Sequence, residues 1–424
     1  MFQYRKRIAD AILNRKLAGK GAVLIEGPKW CGKTTTAEQK AKSVIYMDDS
    51  ETKKQNIEMV ELNPKKLLAG ANPRLIDEWQ LDPKLWDAIR FEVDHRENLG
   101  QFILTGSSVP PATNEREHSG TGRFSKLTMR TMSHYESGES TGAVSLKELF
   151  EKSGKIDGTS NLTLENLAFL VCRGGWPRSV DMETEIALDQ AFDYYDSVVY
   201  QDINRVDCIK KNAEKVKRLM RSYARNQGCQ VSNASLAKDV QAGDETPIQE
   251  ETVSSYLSAL RKIFVVEDLS AWKPNLRSKT AIRTSDTRYF QDPSLAAASL
   301  GIGPNDLIND LHTFGMLFET LAIRDLRIYA DSLGGNVYHY RDKDGLECDA
   351  VVHLRNGNYG LIEIKLGGDR LIEEGIKTLG RMEDKIDTEK MNKPSFKMVL
   401  TGVGNWAYQR KDEIDIVPIG CLKN

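Results

Sequence analysis

No stretch of this 424-residue chain approaches the roughly 18 consecutive apolar residues of a membrane-spanning helix, so no membrane span is expected. The opening MFQYRKRIAD has no apolar h-region and does not read as a signal peptide. Cysteine is sparse: Cys31, Cys172, Cys208, Cys229, Cys348 and Cys421 are scattered, with no C-x-x-C pair. That argues against a disulfide framework and a zinc site, and for a reducing, cytoplasmic setting. Net charge is nearly absent: 59 Lys and Arg face 61 Asp and Glu. The molecule as a whole is therefore no polyanion binder, and any basic surface must be local. There is no internal repeat and no low-complexity tract.

What remains is a globular composition, 40% hydrophobic and 28% charged, in a chain long enough for two to four domains. The strongest local signal is GPKWCGKT at 27–34, directly after the apolar run GAVLIE. Strand, Gly-rich loop and a helix from Lys33 toward Ala41 form the setting in which G-x-x-x-x-G-K-[ST] cradles phosphate. Gly27 and Gly32 let backbone approach phosphate oxygens without a Cβ. The backbone of Pro28, Lys29, Trp30, Cys31 and Thr35 completes the nucleotide cradle with the helix N-terminus. Lys33 is expected at the β- and γ-phosphates, and the Thr34 hydroxyl on Mg²⁺.

PRLIDEW at 73–79 reads as a short strand ending in two carboxylates. Asp77 is expected to hold the Mg²⁺ shell, and Glu78 to polarise the attacking water. After a helix at 82–97, QFILTGSS (101–108) is a further strand, with Thr105, Ser107 and Ser108 at its end. In such an ATPase these lie between the phosphate loop and the carboxylates, where Thr105 can sense γ-phosphate; capping of a strand end is the alternative. In HSGTGR (118–123), Gly120 and Gly122 precede Arg123. An Arg on a Gly-rich turn suits an arginine finger acting in trans, which implies a homo-oligomer; a plain surface Arg is the alternative.

Together GPKWCGKT, LIDEWQ, WDAIR, ILTGSS, HSGTGR and GGWP (174–177) resemble the AAA-type bacterial and archaeal ATPases in which a C-terminal domain of uncertain function follows the ATPase core. The resemblance runs over nearly the whole chain. It implies ATP as ligand, Mg²⁺ as cofactor, ATP hydrolysis and an AAA-like module, but no biological target.

Past the core, Leu162, Leu164, Leu167 and Leu170 fall at helical spacing before GGWP, as in a small helical lid, with Arg173 and Arg178 flanking the turn. In KKNAEKVKRLMRSYAR (210–225), Val216, Leu219, Met220 and Tyr223 mark a buried stripe, and Lys217, Arg218, Arg221 and Arg225 cluster elsewhere. That basic face suits DNA or RNA phosphates, or is simply solvated. The stretch 231–272 reads helix, turn, helix, strand, with Val253, Tyr256, Leu257, Leu260 and Phe264 as a docked stripe and VVEDLSAW as a wing. Glu250 and Glu251 open its second helix and would repel DNA, which favours a winged helix that packs on protein.

The last third carries a second chemical signal. An apolar helix at 311–329 contains Glu319, and LECDAVVHL and YGLIEIKL flank the turn RNGN. Glu319, Asp349, Glu363 and Lys365 in this order resemble the PD-(D/E)-x-K nuclease superfamily. There, by resemblance, Glu319, Asp349 and Glu363 ligate Mg²⁺ while Glu363 and Lys365 serve catalysis. Glu363 and Lys365 share a strand face because they are two apart. Asp349 joins them only if the hairpin closes through three residues or a bulge; a two-residue Asn356-Gly357 loop would turn it away. Three residues, or a bulge, are expected.

The expected fold class is α/β: a P-loop AAA-type ATPase core at 1–150, a helical lid at 151–205, a winged-helix-like segment at 206–275 and a C-terminal nuclease-like α/β domain at 276–424. The expected function is a Mg²⁺-dependent ATPase coupled to that domain and acting on nucleic acid. An ATP-controlled protein-interaction switch with a non-cutting domain is the alternative.

Overall fold

The structure, a computed structural model, describes residues 3–96, 98–108, 120–206, 211–241, 248–272, 274, 285–389 and 391–424. His118 and Ser119 of HSGTGR, Cys208, and Lys210 of the basic segment lie outside the described residues. The chain divides into two compact units, one of Met1–Thr131, Asp202–Lys210 and Ala259–Phe264, the other of Met132–Gln201, Lys211–Ser258 and Val265–Asn424.

The first unit is built on five parallel strands: β1 (Ala22–Glu26), β2 (Ser43–Tyr46), β3 (Arg74–Asp77), β4 (Phe102–Gly106) and β5 (Phe124–Thr128), in the order β2-β3-β4-β1-β5. Strands buried on both faces read as unbroken apolar runs, as AVLI and FIL do here. Ala22, Leu24, Ile76, Phe102 and Leu104 pack with Trp79, Trp86 and Ile89 into one core. β4 runs between β1 and β3 and sets Thr105 beside Ile25 on one side and Asp77 on the other.

The second unit holds a seven-stranded sheet of β7 (Asp157–Thr159), β8 (Gly335–Arg341), β9 (Glu347–Leu354), β10 (Tyr359–Lys365), β11 (Phe396–Thr401), β12 (Trp406–Gln409) and β13 (Ile414–Pro418), in the order β7-β12-β13-β11-β10-β9-β8. A separate pair joins β6 (Val144–Ser145) to β14 (Leu422–Lys423). Residues 132–159 thus pair with the C-terminal strands, Asp157 opposite Tyr408 and Val144 opposite Leu422. The expected core boundary at residue 150 thus differs from the observed one, since residues 132–150 fall in the second unit. Strands of two and three residues carry no periodicity, so only their distant partners identify them.

Helices fill the middle of the chain. The Ala213–Arg225 helix buries Val216, Leu219, Met220 and Tyr223 completely, as the spacing predicts. The Glu250–Lys262 helix buries Val253, Leu257 and Leu260, but Phe264 lies beyond its end with φ +59° and is only half-buried. Antiparallel bridges then join Val266 to Phe290 and Leu269 to Thr287. GGWP is a buried docking turn. A Cβ on Gly174 would stand 2.3 Å from Asp292 Oδ1 and one on Gly175 2.2 Å from the Met132 carbonyl, and Trp176 Nε1 donates to Ser294 Oγ at 2.9 Å. The 22-residue helix Leu311–Ser332 buries most of its length. Among the described residues no helix is long and apolar enough to cross a membrane.

Candidate functional site

The phosphate loop leaves β1 at Gly27, where a Cβ would stand 2.1 Å from the Met129 carbonyl oxygen, so only glycine fits. Trp30 and Gly32 take positive φ, +62° and +96°, and the helix Lys33–Glu38 follows. Lys33 is buried, and its Nζ donates to the Pro28 carbonyl at 2.7 Å, folded over the loop. Cys31 is buried against Met129, Lys29 pairs with Asp202 at 2.6 Å, and Thr35 and Trp30 face solvent. Arg7, which the sequence reading did not single out, is buried and donates to the carbonyls of Cys31 at 2.8 Å and Arg130 at 2.9 Å, tying the loop to the neighbouring strand end.

Asp77 joins loop and sheet. Its Oδ1 accepts from Thr34 Oγ1 at 2.7 Å and from Thr105 Oγ1. Glu78 turns out of β3 with φ +53° and accepts from Gln80 Nε2 and, at 3.2 Å, from Ser107 Oγ. Burial pushes both carboxyls above their ordinary range, against the pull of Lys33 and of these hydrogen bonds. Thr34, Asp77 and Thr105 therefore meet at one point, with Lys33, Glu78 and Ser107 beside it.

Arg123 stands elsewhere. It precedes β5, whose Phe124 pairs with Ala22, so it lies at the sheet end opposite the phosphate loop. The residues of β1 span about 16 Å at roughly 3.3 Å each, more than an Arg side chain reaches. Its Nε donates to Asp94 at 2.7 Å. Arg123 therefore cannot reach the phosphates held by its own loop.

In the second unit the β9–β10 hairpin closes through three residues. Leu354 N donates to the Asn358 carbonyl at 2.8 Å, Gly357 N to the Leu354 carbonyl at 3.0 Å, and Gly357 has φ +89°. Ile362 pairs with Ala350, so the next step of this register sets Glu363 against Asp349. Lys365 Nζ donates to Asp349 Oδ2 at 2.9 Å and lies 2.8 Å from Glu363 Oε2, while Ile364 N donates to Asp349 Oδ2 at 2.7 Å. Glu319 reaches toward this group from the long helix, and its Oε1 accepts from the Tyr289 hydroxyl. Burial, reinforced by the charge of Asp349, pushes Glu319 and Glu363 up to about 8.

Two polar atoms here have no partner among the described residues, Glu363 Oε1 and Thr401 Oγ1, both buried. Thr401 pairs with Lys365 across β10 and β11 and so shares its face; sequence reasoning missed it, since nothing local marks it. A cavity of about 30 Å³, lined in part by Tyr289, Glu319, Glu347 and Asp349, is large enough for one water or ion. Glu319, Asp349 and Glu363 do not form a ready ligand cluster: among the described residues no three His, Cys, Asp or Glu side chains converge to hold a metal. The Lys365 ammonium takes the place between two of them. The carboxylate oxygens, one of them without a partner, are the donor type that a hard divalent cation takes.

The basic helix face is partly engaged. Lys217 lies over the Tyr200 ring at 4.8 Å and 3.5 Å from Glu214, whereas Arg221 and Arg225 are exposed. Arg173 is buried and paired with Glu139 at 2.8 Å.

Comparison with known proteins follows this division. Residues 19–137 match the family model described as AAA domain, residues 164–306 the domain of unknown function DUF8612, and residues 314–422 the domain of unknown function DUF4143. Uncharacterized proteins of Mycobacterium bovis and Mycobacterium tuberculosis are each 26% identical over 364 residues, 85% of this chain and 74% of theirs. A Walker-type ATPase of Pyrococcus abyssi, 14% identical, covers 70% of this chain and 96% of its own with a TM-score of 0.44. A STAND protein with a tetratricopeptide repeat sensor from Pyrococcus horikoshii, also 14% identical, covers 77% of this chain and 50% of its own with a TM-score of 0.23. The N-terminal unit carries an AAA-type P-loop domain.

Proposed function

We propose that this chain is a Mg²⁺-dependent ATPase whose C-terminal unit acts on nucleic acid. The observation that carries the ATPase reading is Asp77 Oδ1 accepting from both Thr34 and Thr105 at the mouth of the phosphate loop. Gly27 to Thr35 cradle the triphosphate, and Lys33 exchanges its bond to the Pro28 carbonyl for the β- and γ-phosphates. Thr34 and Asp77 would hold Mg²⁺, which when bound neutralises phosphate charge. Glu78, steadied by Gln80 and Ser107, takes the proton of the attacking water. Thr105 reports on the γ-phosphate through Asp77. Arg123 completes the site of a second copy, so the working form is a homo-oligomer.

In the C-terminal unit, Asp349, Glu363 and Glu319 would hold Mg²⁺, which supplies Lewis-acid polarisation of a phosphodiester, and Lys365 orients water and steadies the phosphate. The Asp349–Lys365–Glu363 grouping on one face of a nuclease-like domain supports this. Helices 213–225, 233–241 and 250–262 with the bridges after them support a winged-helix-like segment, and Arg221 and Arg225 offer phosphate contacts. The second reading, an ATP-controlled interaction switch with a non-cutting domain, rests on the lack of three converging ligands among the described residues.

ATP turnover by the wild type and by Lys33→Ala tests the first half; turnover that survives Lys33→Ala refutes it. Binding and Mg²⁺-dependent cleavage of DNA and RNA, titrated with salt and with or without ATP, test the second. Neither binding nor cleavage at low salt would leave the switch.

A further inference from the structure

The C-terminal carboxylate site is not built from the C-terminal strands alone. Glu319 is held from behind by residues that precede its helix in the chain. Tyr289 is almost wholly buried, and its hydroxyl donates to Glu319 Oε1. On the other side runs the backbone of Gly228, with φ +71°; a Cβ there would stand 2.9 and 3.0 Å from the two Glu319 carboxylate oxygens. The Gly228 turn and the Tyr289 segment are joined, Gly228 N donating to the Arg288 carbonyl at 3.1 Å and Arg288 N to the Cys229 carbonyl at 3.0 Å. Gln227 repeats the linkage one residue along: its Oε1 accepts from Phe290 N at 2.9 Å and from Thr320 Oγ1 at 3.1 Å. The neighbours of Tyr289 and Glu319 are thus clamped to one another, which fixes the bond between the two.

We propose that Tyr289 is a positioning residue for Glu319, and that with Gly228 it completes the divalent-cation site from the middle of the chain. This rests on the reading of Glu319, Asp349 and Glu363 as cation ligands. A Glu side chain has three rotatable bonds, and a carboxylate free to swing binds an ion weakly. A hydroxyl bonded to Oε1, with the Gly228 backbone packed close to both oxygens, restricts the swing of the carboxylate in the cavity that these residues line with Asp349. Any larger residue at position 228 would push the carboxylate out of place.

The test uses full-length protein and Mn²⁺ alone, with binding read by equilibrium dialysis. Tyr289→Phe should weaken Mn²⁺ binding about 10- to 100-fold, the usual effect of removing a group that orients a metal ligand. Tyr329→Phe, which removes a buried hydroxyl elsewhere in the same unit, should change it by less than about twofold. Because Tyr289 acts through Glu319, adding Tyr289→Phe to Glu319→Gln should cost nothing further. Gly228→Ala should weaken binding as well, and it serves if Tyr289→Phe does not fold. Wild-type-like Mn²⁺ affinity in Tyr289→Phe or Gly228→Ala, beside a clear loss in Glu319→Gln, overturns the proposal and leaves the cation site standing. A full additional loss in the double variant overturns it too. No Mn²⁺ uptake by the wild type removes the cation site, and the proposal with it.

Discussion

Lys365 Nζ stands 2.9 Å from Asp349 Oδ2 across the β9–β10 hairpin and 2.8 Å from Glu363 Oε2 on its own strand. This ammonium holds together two carboxylates that would otherwise repel in a largely buried setting. Lys365→Met should therefore destabilise the second unit by about 3–5 kcal/mol, the usual cost of leaving buried charge unpaired. Ca²⁺ should recover part of the loss, since a ligand at a hundred times its Kd adds about 2.7 kcal/mol. Denaturant unfolding with and without Ca²⁺ checks both; an unchanged midpoint in Lys365→Met would show that the grouping does not hold the fold.

Glu78→Gln should keep ATP binding and lower turnover by about 10²- to 10⁴-fold, the range for a general base. Nucleotide binding by a fluorescent analogue and phosphate release separate the two effects. Weakened binding with normal turnover of bound ATP would assign Glu78 to the fold instead.

Gly27→Ala places a methyl 2.1 Å from the Met129 carbonyl, a backbone atom that cannot turn aside. The variant should lose about 1–3 kcal/mol, as overpacked sites do, together with nucleotide binding. Thermal unfolding with and without ATP reads both.

Arg123 cannot serve its own phosphate loop, so a finger role predicts complementation. Arg123→Ala and Lys33→Ala should each be nearly inactive, with losses of about 10³- to 10⁵-fold for the finger. Mixed, they should regain turnover, because one copy offers an intact loop and the other an intact Arg123. Inactive mixtures would leave Arg123 as the partner of Asp94 only.

Asp325 sits at the centre of a buried ionic group. His134 Nδ1 lies 2.7 Å from its Oδ2, Arg324 NH2 donates to its Oδ1 at 2.8 Å, and Arg324 NH1 continues to Asp292 Oδ2 at 3.0 Å. Burial alone would raise the Asp325 carboxyl, but Arg324 and His134 outweigh it and hold the group below its ordinary value. A depressed carboxyl contributes stability above its unfolded pKa of about 3.9 and loses it as pH falls through the lower folded value. Asp325→Asn should cost about 3–5 kcal/mol near neutrality, with the difference from wild type shrinking in acid. Unfolding midpoints at pH 7 and pH 3 check the sign.

Much of the candidate chemistry was legible in local sequence. The phosphate loop, the Asp77–Glu78 strand end and the polar end of β4 are short, contiguous signals, and the helix stripe at Val216, Leu219, Met220 and Tyr223 follows the 3.6-residue period. The three-residue closure of the β9–β10 hairpin was anticipated only from the requirement that Asp349 share a face with Glu363, since Asn356-Gly357 by itself also suits a two-residue loop. Phe264 misled because its spacing continues a stripe that the backbone abandons at Lys262.

The sequence by itself determined what depends on neighbours along the chain: the apolar strands, the amphipathic helices, the glycine turns and the residue types at each strand end. Tertiary structure alone decided what depends on neighbours in space. It drew residues 132–159 to the C-terminal strands, set Tyr289 on Glu319, closed Arg7 over the phosphate loop and joined His134 to Asp325 across 191 positions. Such contacts carry no periodicity and no local composition. They form because buried polar groups and unpaired strand edges must find partners wherever the fold brings one within reach.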